Sequence, residues 1–237
     1  MIEVGWGTVN RAVVRTAERR LRRSHRPRAA LIQETTALGT SPDPALVARL
    51  LNQAGIDFVL IGAHALAVHT KEPRATADVD VVVSDVALAV KALRHIQPRT
   101  RILDLGDEVG RRIATTGGVE LVDVLHPTGG VRGQLFQHRQ AVTLDGEPAF
   151  VPTLTAMLAL KWLAMFSPSR SALKQLQDKV DFLRIIAVHP KANIPAVARL
   201  VAKASPMLGA QLVYDMGEYR KTGDVRLFGS SDPNNDG

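Results

Sequence analysis

The sequence contains no cysteine, which excludes disulfides and thiolate metal sites and fits a cytosolic, cytoplasmic protein. Aromatic residues make up 4% of the chain, too few for a platform on which single-stranded bases stack. No apolar run approaches the roughly 18 residues that span a bilayer, so no membrane partner is expected. The N-terminus is arginine-rich but lacks the apolar stretch of a secretory signal. The spacing of His64, His69, His126 and His138 does not suit zinc. No internal repeat is present.

What remains is a chain of 237 residues with 46% apolar and 22% charged side chains, enough for a globular core of one domain with an appendage or two small domains. Its net charge of +7 is uneven. Residues 1–40 hold eight arginines against three glutamates, or +5 of that total. Such an arm suits contact with RNA phosphates, a solvated helix, or an extension upstream of the true start.

The hydrophobic pattern changes once. Residues 41–152 alternate helical and strand segments. TSPDP (40–44) breaks the chain, and Pro44 suits the first position of a helix over 45–55 ended by Gly55. IDFVLIG (56–62) predicts a buried strand, AHALAVHT (63–70) a helix, and DVDVVVS (78–84) a second strand, with Ser84 capping a helix over 85–96. Strands are expected at 101–106, 110–116, 119–126, 140–146 and 148–151, with Gly117-Gly118 as a hairpin turn. Residues 153–222 read as helical almost throughout, and 223–237 as a polar tail. The expected class is α/β: a mixed-sheet core, a helical C-terminal region and a basic extension, 1–40, of flexible character.

The chemistry concentrates in RATADVDVVVSD (74–85). Asp78 and Asp80 head an apolar β-branched run, where unpaired carboxylates are costly. Alternation puts both on one face of the strand, with Cα atoms about 6.5 Å apart. That spacing suits one or two hard divalent cations, which take oxygen ligands and keep water or phosphate as the rest. Two further features belong with the pair. Gly62 joins a strand to a helix, so it is either a phosphate cradle or the glycine of a tight turn. VELVDVLH (119–126) offers Asp123 as a third carboxylate, with Glu120 as competitor. Regular alternation puts those two on opposite faces, so at most one joins the cage, and Asp123 sits deeper in the apolar run.

These residues carry a resemblance. Gly62-Ala63, a spacer, Asp78-Val79-Asp80-Val81 and a later apolar-flanked Asp123 resemble the signature of the nucleotidyltransferase superfamily with the polymerase-β-like fold. The segment from Leu154 to Ile186 is similar to AbiEii/MenT-type nucleotidyltransferases, with Lys161 on the family's helix lysine, Arg170 on its arginine and Gln177-Asp178-Lys179-Val180-Asp181-Phe182 on its K-D-x-x-D-h motif. The resemblance covers roughly residues 45–187. It implies transfer of a nucleoside monophosphate from an NTP substrate to a hydroxyl of RNA, such as tRNA, or of a protein, with Mg²⁺ or Mn²⁺ held by Asp78, Asp80 and Asp123. It also implies a toxin with a cognate antitoxin as partner. Ala63 stands where the family has glycine or serine, and Gln177 where it has lysine; neither change removes a metal ligand.

Residue chemistry leaves several roles open beside that resemblance. Lys161 lies in an apolar helix and can either reach triphosphate oxygens or extend its ammonium to solvent. Asp178 is a site residue or the partner of Lys174 one turn away; Asp181 reads as structural. Arg74 and Thr76 contact phosphate, cap the metal loop or simply shape it, and Gly62 and Ala63 begin the helix that receives the nucleotide. An antibiotic-modifying transferase of aminoglycoside type is the near alternative, and a non-catalytic nucleotide- or RNA-binding module the distant one.

Overall fold

Proline at the first helical position forfeits no hydrogen bond, and an aspartate before it can accept from a free amide. Asp43-Pro44 does both: the Asp43 carboxylate accepts from the Ala45 N–H at 2.9 Å and opens helix α1, Pro44–Gln53. Val47, Ala48 and Leu51 fall on its buried face. The computed structural model describes residues 42–72 and 76–224, with the backbone of 2–4. The expectations for the rest of the basic leader and for the tail from residue 225 lie outside the described residues.

The chain divides into two units. The first holds the described residues as far as Thr128, with Leu135–Pro152; the second holds Gly129–Gln134 and the described residues from Thr153. In the first, strand β1 is Ile2–Val4, β2 Phe58–Leu60, helix α2 Gly62–Thr70, β3 Val79–Val83, α3 Val86–Leu93, β4 Thr100–Asp104, β5 Gly110–Thr115, β6 Glu120–Leu125, β7 Arg139–Leu144 and β8 Glu147–Pro152. A five-stranded sheet runs β2-β3-β6-β5-β4, and a three-stranded sheet runs β1-β7-β8. The β3/β6 pair is parallel, and its neighbours in the larger sheet are antiparallel. Val79 and Val81 to Val83 are fully buried, as a continuous apolar run on a central strand requires. Helix α2 packs on β3, α3 on β5 and β6, and α1 on α3 and β8.

Two local expectations are corrected. The cap of α3 is Asp85, not Ser84: Asp85 is the last extended residue, and its carboxylate accepts from the Leu88 N–H at 2.9 Å. The helix also ends at Leu93 rather than residue 96. Strand β6 does not alternate regularly. Arg112 pairs with Asp123 and Ile113 with Val122, but Ala114 pairs with Glu120, so Leu121 is an extra residue in a β-bulge.

The second unit is helical: a 3₁₀ turn Arg132–Gln134, then α4 Leu154–Met165, α5 Ala172–Val188, α6 Ile194–Ala202 and α7 Pro206–Thr222. Thr153, Ser171, Asn193 and Ser205 cap these four helices. Trp162 lies fully buried between Phe166 and Phe182, with ring centroids 5.1 and 5.4 Å away, and its indole N–H donates to the Leu208 carbonyl at 2.9 Å. The architecture is the α/β class expected, a mixed sheet followed by a helical C-terminal region. Among the described residues no helix is long and apolar enough to cross a membrane.

Candidate active site

Parallel pairing of β3 with β6 decides which carboxylates meet. Asp80 is the register partner of Asp123, so the two side chains leave the sheet from adjacent strands at one level. Asp78 sits just before β3, one alternation earlier on the same face. The three residues each offer a carboxylate oxygen within 4.8 Å of the others. The Thr76 hydroxyl donates to Asp78 Oδ1 at 2.7 Å, which fixes that carboxylate at the strand mouth.

Gly62 closes the other side. Its φ is +64°, a left-handed conformation that disfavours any side chain, and a Cβ there would lie 2.0 Å from Asp80 Oδ2. The glycine therefore serves both the tight turn and the room for Asp80. The Ile61 N–H donates to the Asp80 carbonyl at 2.9 Å, binding the turn to β3. Helix α2 starts at Gly62 without a side-chain cap. Ala63, in its first turn, is buried, as are His64 and His69 further along.

The sequence gives no direct sign of the next partner. Arg112 on β5 stands opposite Asp123 across the β5/β6 pair, so Asp80, Asp123 and Arg112 form one row over three strands. The guanidinium grips Asp123 with a fork: Nε to Oδ1 at 2.6 Å and Nη2 to Oδ2 at 2.8 Å. Its remaining Nη1 donates to Glu120 Oε1. The bulge at Leu121 interrupts alternation between Glu120 and Asp123, and both reach the same arginine. The expectation that they face opposite ways is thereby corrected, while the acidic cluster itself is made by Asp123 and not Glu120. The hydrogen bond with Asp123 is the largest cause raising the Arg112 pKa above its ordinary value, so the guanidinium stays charged.

The donor set fits a hard divalent cation. Three carboxylates from two neighbouring strands supply only oxygen, as Mg²⁺ and Mn²⁺ prefer. Among the described residues Arg112 offsets part of their charge.

Lys161 and Asp178 belong to the helical unit, where they pair with each other. The Lys161 ammonium donates to Asp178 Oδ1 at 2.8 Å and to Asp181 Oδ2 at 2.7 Å, and all three residues are buried. Arg170 Nη1 reaches Asp178 Oδ2 at 2.9 Å, and the Gln177 amide donates to Asp181 Oδ1 at 2.9 Å. The partners of Asp178 are thus Lys161 and Arg170 rather than Lys174, and Lys161 holds its ammonium inside rather than in solvent. Gln177 supplies a hydrogen bond in place of the charge that lysine would bring. Arg74 lies outside the described residues.

No protein-family model matches the sequence, and no curated protein matches it. Among solved structures the chain is similar to an antigenic nucleotidyltransferase-like protein from Paracoccidioides brasiliensis, at 20% identity and a TM-score of 0.44, over 71% of this chain and 89% of that one. It is also similar to the antibiotic-resistance factor ANT(2'')-Ia, at 12% identity and a TM-score of 0.47, over 81% and 99% of the two chains. A third likeness is to JHP933 from Helicobacter pylori, at 14% identity and a TM-score of 0.39, over 80% and 98%. Likenesses this distant assign neither family nor activity, and the site's own geometry has to carry the functional reading.

Proposed function

We propose that this chain is a nucleotidyltransferase that uses Mg²⁺ or Mn²⁺ to move a nucleoside monophosphate from an NTP to an acceptor hydroxyl of RNA, such as tRNA, or of a protein. One observation carries the reading: Asp80 and Asp123 are register partners on adjacent parallel strands, with Asp78 beside them and Gly62 making the space. In the reaction the acceptor oxygen attacks the α-phosphorus and forms a new phosphate ester. The bond from that phosphorus to its bridging oxygen breaks, pyrophosphate departs with the electron pair, and the hydroxyl proton passes to solvent. A bound divalent ion supplies positive charge to the reacting phosphate oxygens.

The chain's own groups supply the rest. Asp78, Asp80 and Asp123 are the ligands, and Thr76 orients Asp78 by its 2.7 Å hydrogen bond. The uncapped first turn of α2, from Gly62 and Ala63, presents backbone N–H groups to phosphate. We assign phosphate contact to Lys161 on the resemblance to AbiEii/MenT-type enzymes; two of its three N–H donors are spent on Asp178 and Asp181. We assign phosphate contact to Arg74 from its place before the metal strand. The finer assignment, a toxin that acts in the cytoplasm and is restrained by a cognate antitoxin, rests on the resemblance of residues 45–187 to AbiEii/MenT-type enzymes.

The test is label transfer. Purified protein is incubated with each α-labelled NTP, Mg²⁺ and total tRNA, a bacterial lysate or an aminoglycoside, with Asp80→Ala alongside. Transfer to RNA or protein that vanishes in Asp80→Ala is the expected result. Transfer that survives in Asp80→Ala refutes the site. Label on the aminoglycoside alone selects the antibiotic-modifying alternative, and no transfer to any acceptor selects a binding module.

A further inference from the structure

The fork of Arg112 holds both oxygens of the carboxylate assigned as third ligand, and the same guanidinium reaches Glu120 through its remaining Nη1. A cation entering the cluster meets an arginine already in contact with one of its ligands. Three carboxylates gathered within 4.8 Å repel one another unless some positive charge stands among them. Arg112 is that charge among the described residues, because it is the register partner of Asp123 on the strand next to it. Glu120 has no place in the cluster, yet the bulge at Leu121 turns it toward Arg112. Its side chain is 44% exposed, against 12% for Asp123, so it can hold the guanidinium nearer solvent.

We propose that Arg112 is a resident counter-cation of the acidic cluster, which yields Asp123 to an incoming divalent ion and moves onto Glu120 as it does so. Arg112 is then a positioning residue that sets how tightly and how selectively the ion is held, and Glu120 is its second berth. The bulge has a purpose in this scheme, since without it Glu120 faces away. The proposal rests on the metal-site reading above.

Mn²⁺ binding to the full-length protein, followed by the electron paramagnetic resonance signal of free Mn²⁺, tests it without any need for activity. Asp80→Asn comes first: wild type binds and Asp80→Asn does not, which establishes the site by itself. Arg112→Met is then expected to tighten Mn²⁺ binding by about tenfold, as removal of one competing positive charge predicts. Glu120→Gln is expected to weaken binding about threefold in wild type, because Arg112 loses its second berth, and to have a much smaller effect in the Arg112→Met background. Arg112→Lys keeps the charge without the fork and is expected to bind within about threefold of wild type, a check should Arg112→Met fold poorly. A second readout is the rise in unfolding temperature on adding Mn²⁺, expected to be larger in Arg112→Met than in wild type.

Binding that is unchanged or weaker in Arg112→Met, with Asp80→Asn dead, overturns the counter-cation role and leaves the metal site standing. Equal effects of Glu120→Gln in both backgrounds overturn the second berth. No Mn²⁺ binding by wild type or by Arg112→Met overturns the metal site, and the counter-cation with it.

Discussion

Two glycines separate backbone strain from site chemistry. Gly55 and Gly62 have nearly the same left-handed φ, +66° and +64°, but different surroundings. A Cβ at Gly55 meets nothing within 4 Å, whereas one at Gly62 meets Asp80 Oδ2 at 2.0 Å. Alanine at either position is expected to lower stability by about 1–2 kcal/mol, the cost of a side chain in that region. Only Gly62→Ala must also push the Asp80 carboxylate aside. Urea unfolding should therefore show a loss in Gly62→Ala at least as large as in Gly55→Ala, while Mn²⁺ binding falls at least tenfold in Gly62→Ala and stays at the wild-type level in Gly55→Ala. Wild-type ion affinity in Gly62→Ala would remove Asp80 from the proposed metal site. At this scale the sequence was informative, because a glycine between a strand and a helix, followed by alternating aspartates, leaves few conformations for either. It did not reveal that the glycine and Asp80 touch, since that contact depends on how β2 pairs with β3.

At the scale of elements, one inserted residue explains what was missed. Regular pairing continued from Ala114 and Glu120 would set Arg111 opposite Asp123 and Arg112 opposite Val122. The bulge shifts the register by one, so Arg112 takes Asp123, and Arg111 turns to Asp104 at 2.8 Å. A single slip moves every side chain to the other face, and no turn residue announces a bulge inside ELVDVL. The helical unit was legible for a different reason. Helix α6 carries a clear apolar periodicity, α4 is apolar nearly all round, and Thr153, Ser171, Asn193 and Ser205 mark the four starts. Its ion network was not legible, because Lys161 meets Asp178 and Asp181 across two helices and not along one. That network makes a prediction. Among the described residues, Lys161→Met leaves Asp181, which is fully buried, with the Gln177 amide alone, and Asp178 with Arg170 alone. Removing one partner of a buried ion group costs about 3–5 kcal/mol, so denaturant unfolding should show a loss of that size. A loss under about 1 kcal/mol, the level of an exposed pair, would mean that solvent screens the network.

At the scale of the whole molecule, the pH dependence of stability has an opposing component that one residue controls. A chain with a formal charge of +7 gains repulsion as its carboxylates take up protons, and ion-paired carboxylates lose their partners, so acid should destabilise it. Asp215 on α7 works against that trend. It is 2% exposed; Oδ1 accepts from the Gln211 amide, and Oδ2 has no hydrogen-bond partner among the described residues. Burial raises its pKa above the ordinary 3.8, and the Gln211 hydrogen bond and the Lys179 charge pull it only part of the way back. Burial likewise lowers the Lys179 pKa below the ordinary 10.5, so that group adds stability with rising pH only on the alkaline side. For Asp215 the sign is the reverse of a salt-bridged carboxylate. Between its ordinary and raised values the folded chain holds more protons than the unfolded chain, so its contribution falls as pH rises through that window and the charge is a standing cost above it. Asp215→Asn removes the titration and keeps the side chain's shape and its contact with Gln211. The variant is expected to match wild type in acid, below the ordinary carboxylate range, and to become the more stable protein as pH rises to neutrality. Urea midpoints for the two proteins at a series of pH values give the difference directly. A gap that is constant with pH, or one that closes toward neutrality, would mean that the buried Asp215 carboxylate is solvated in the folded chain.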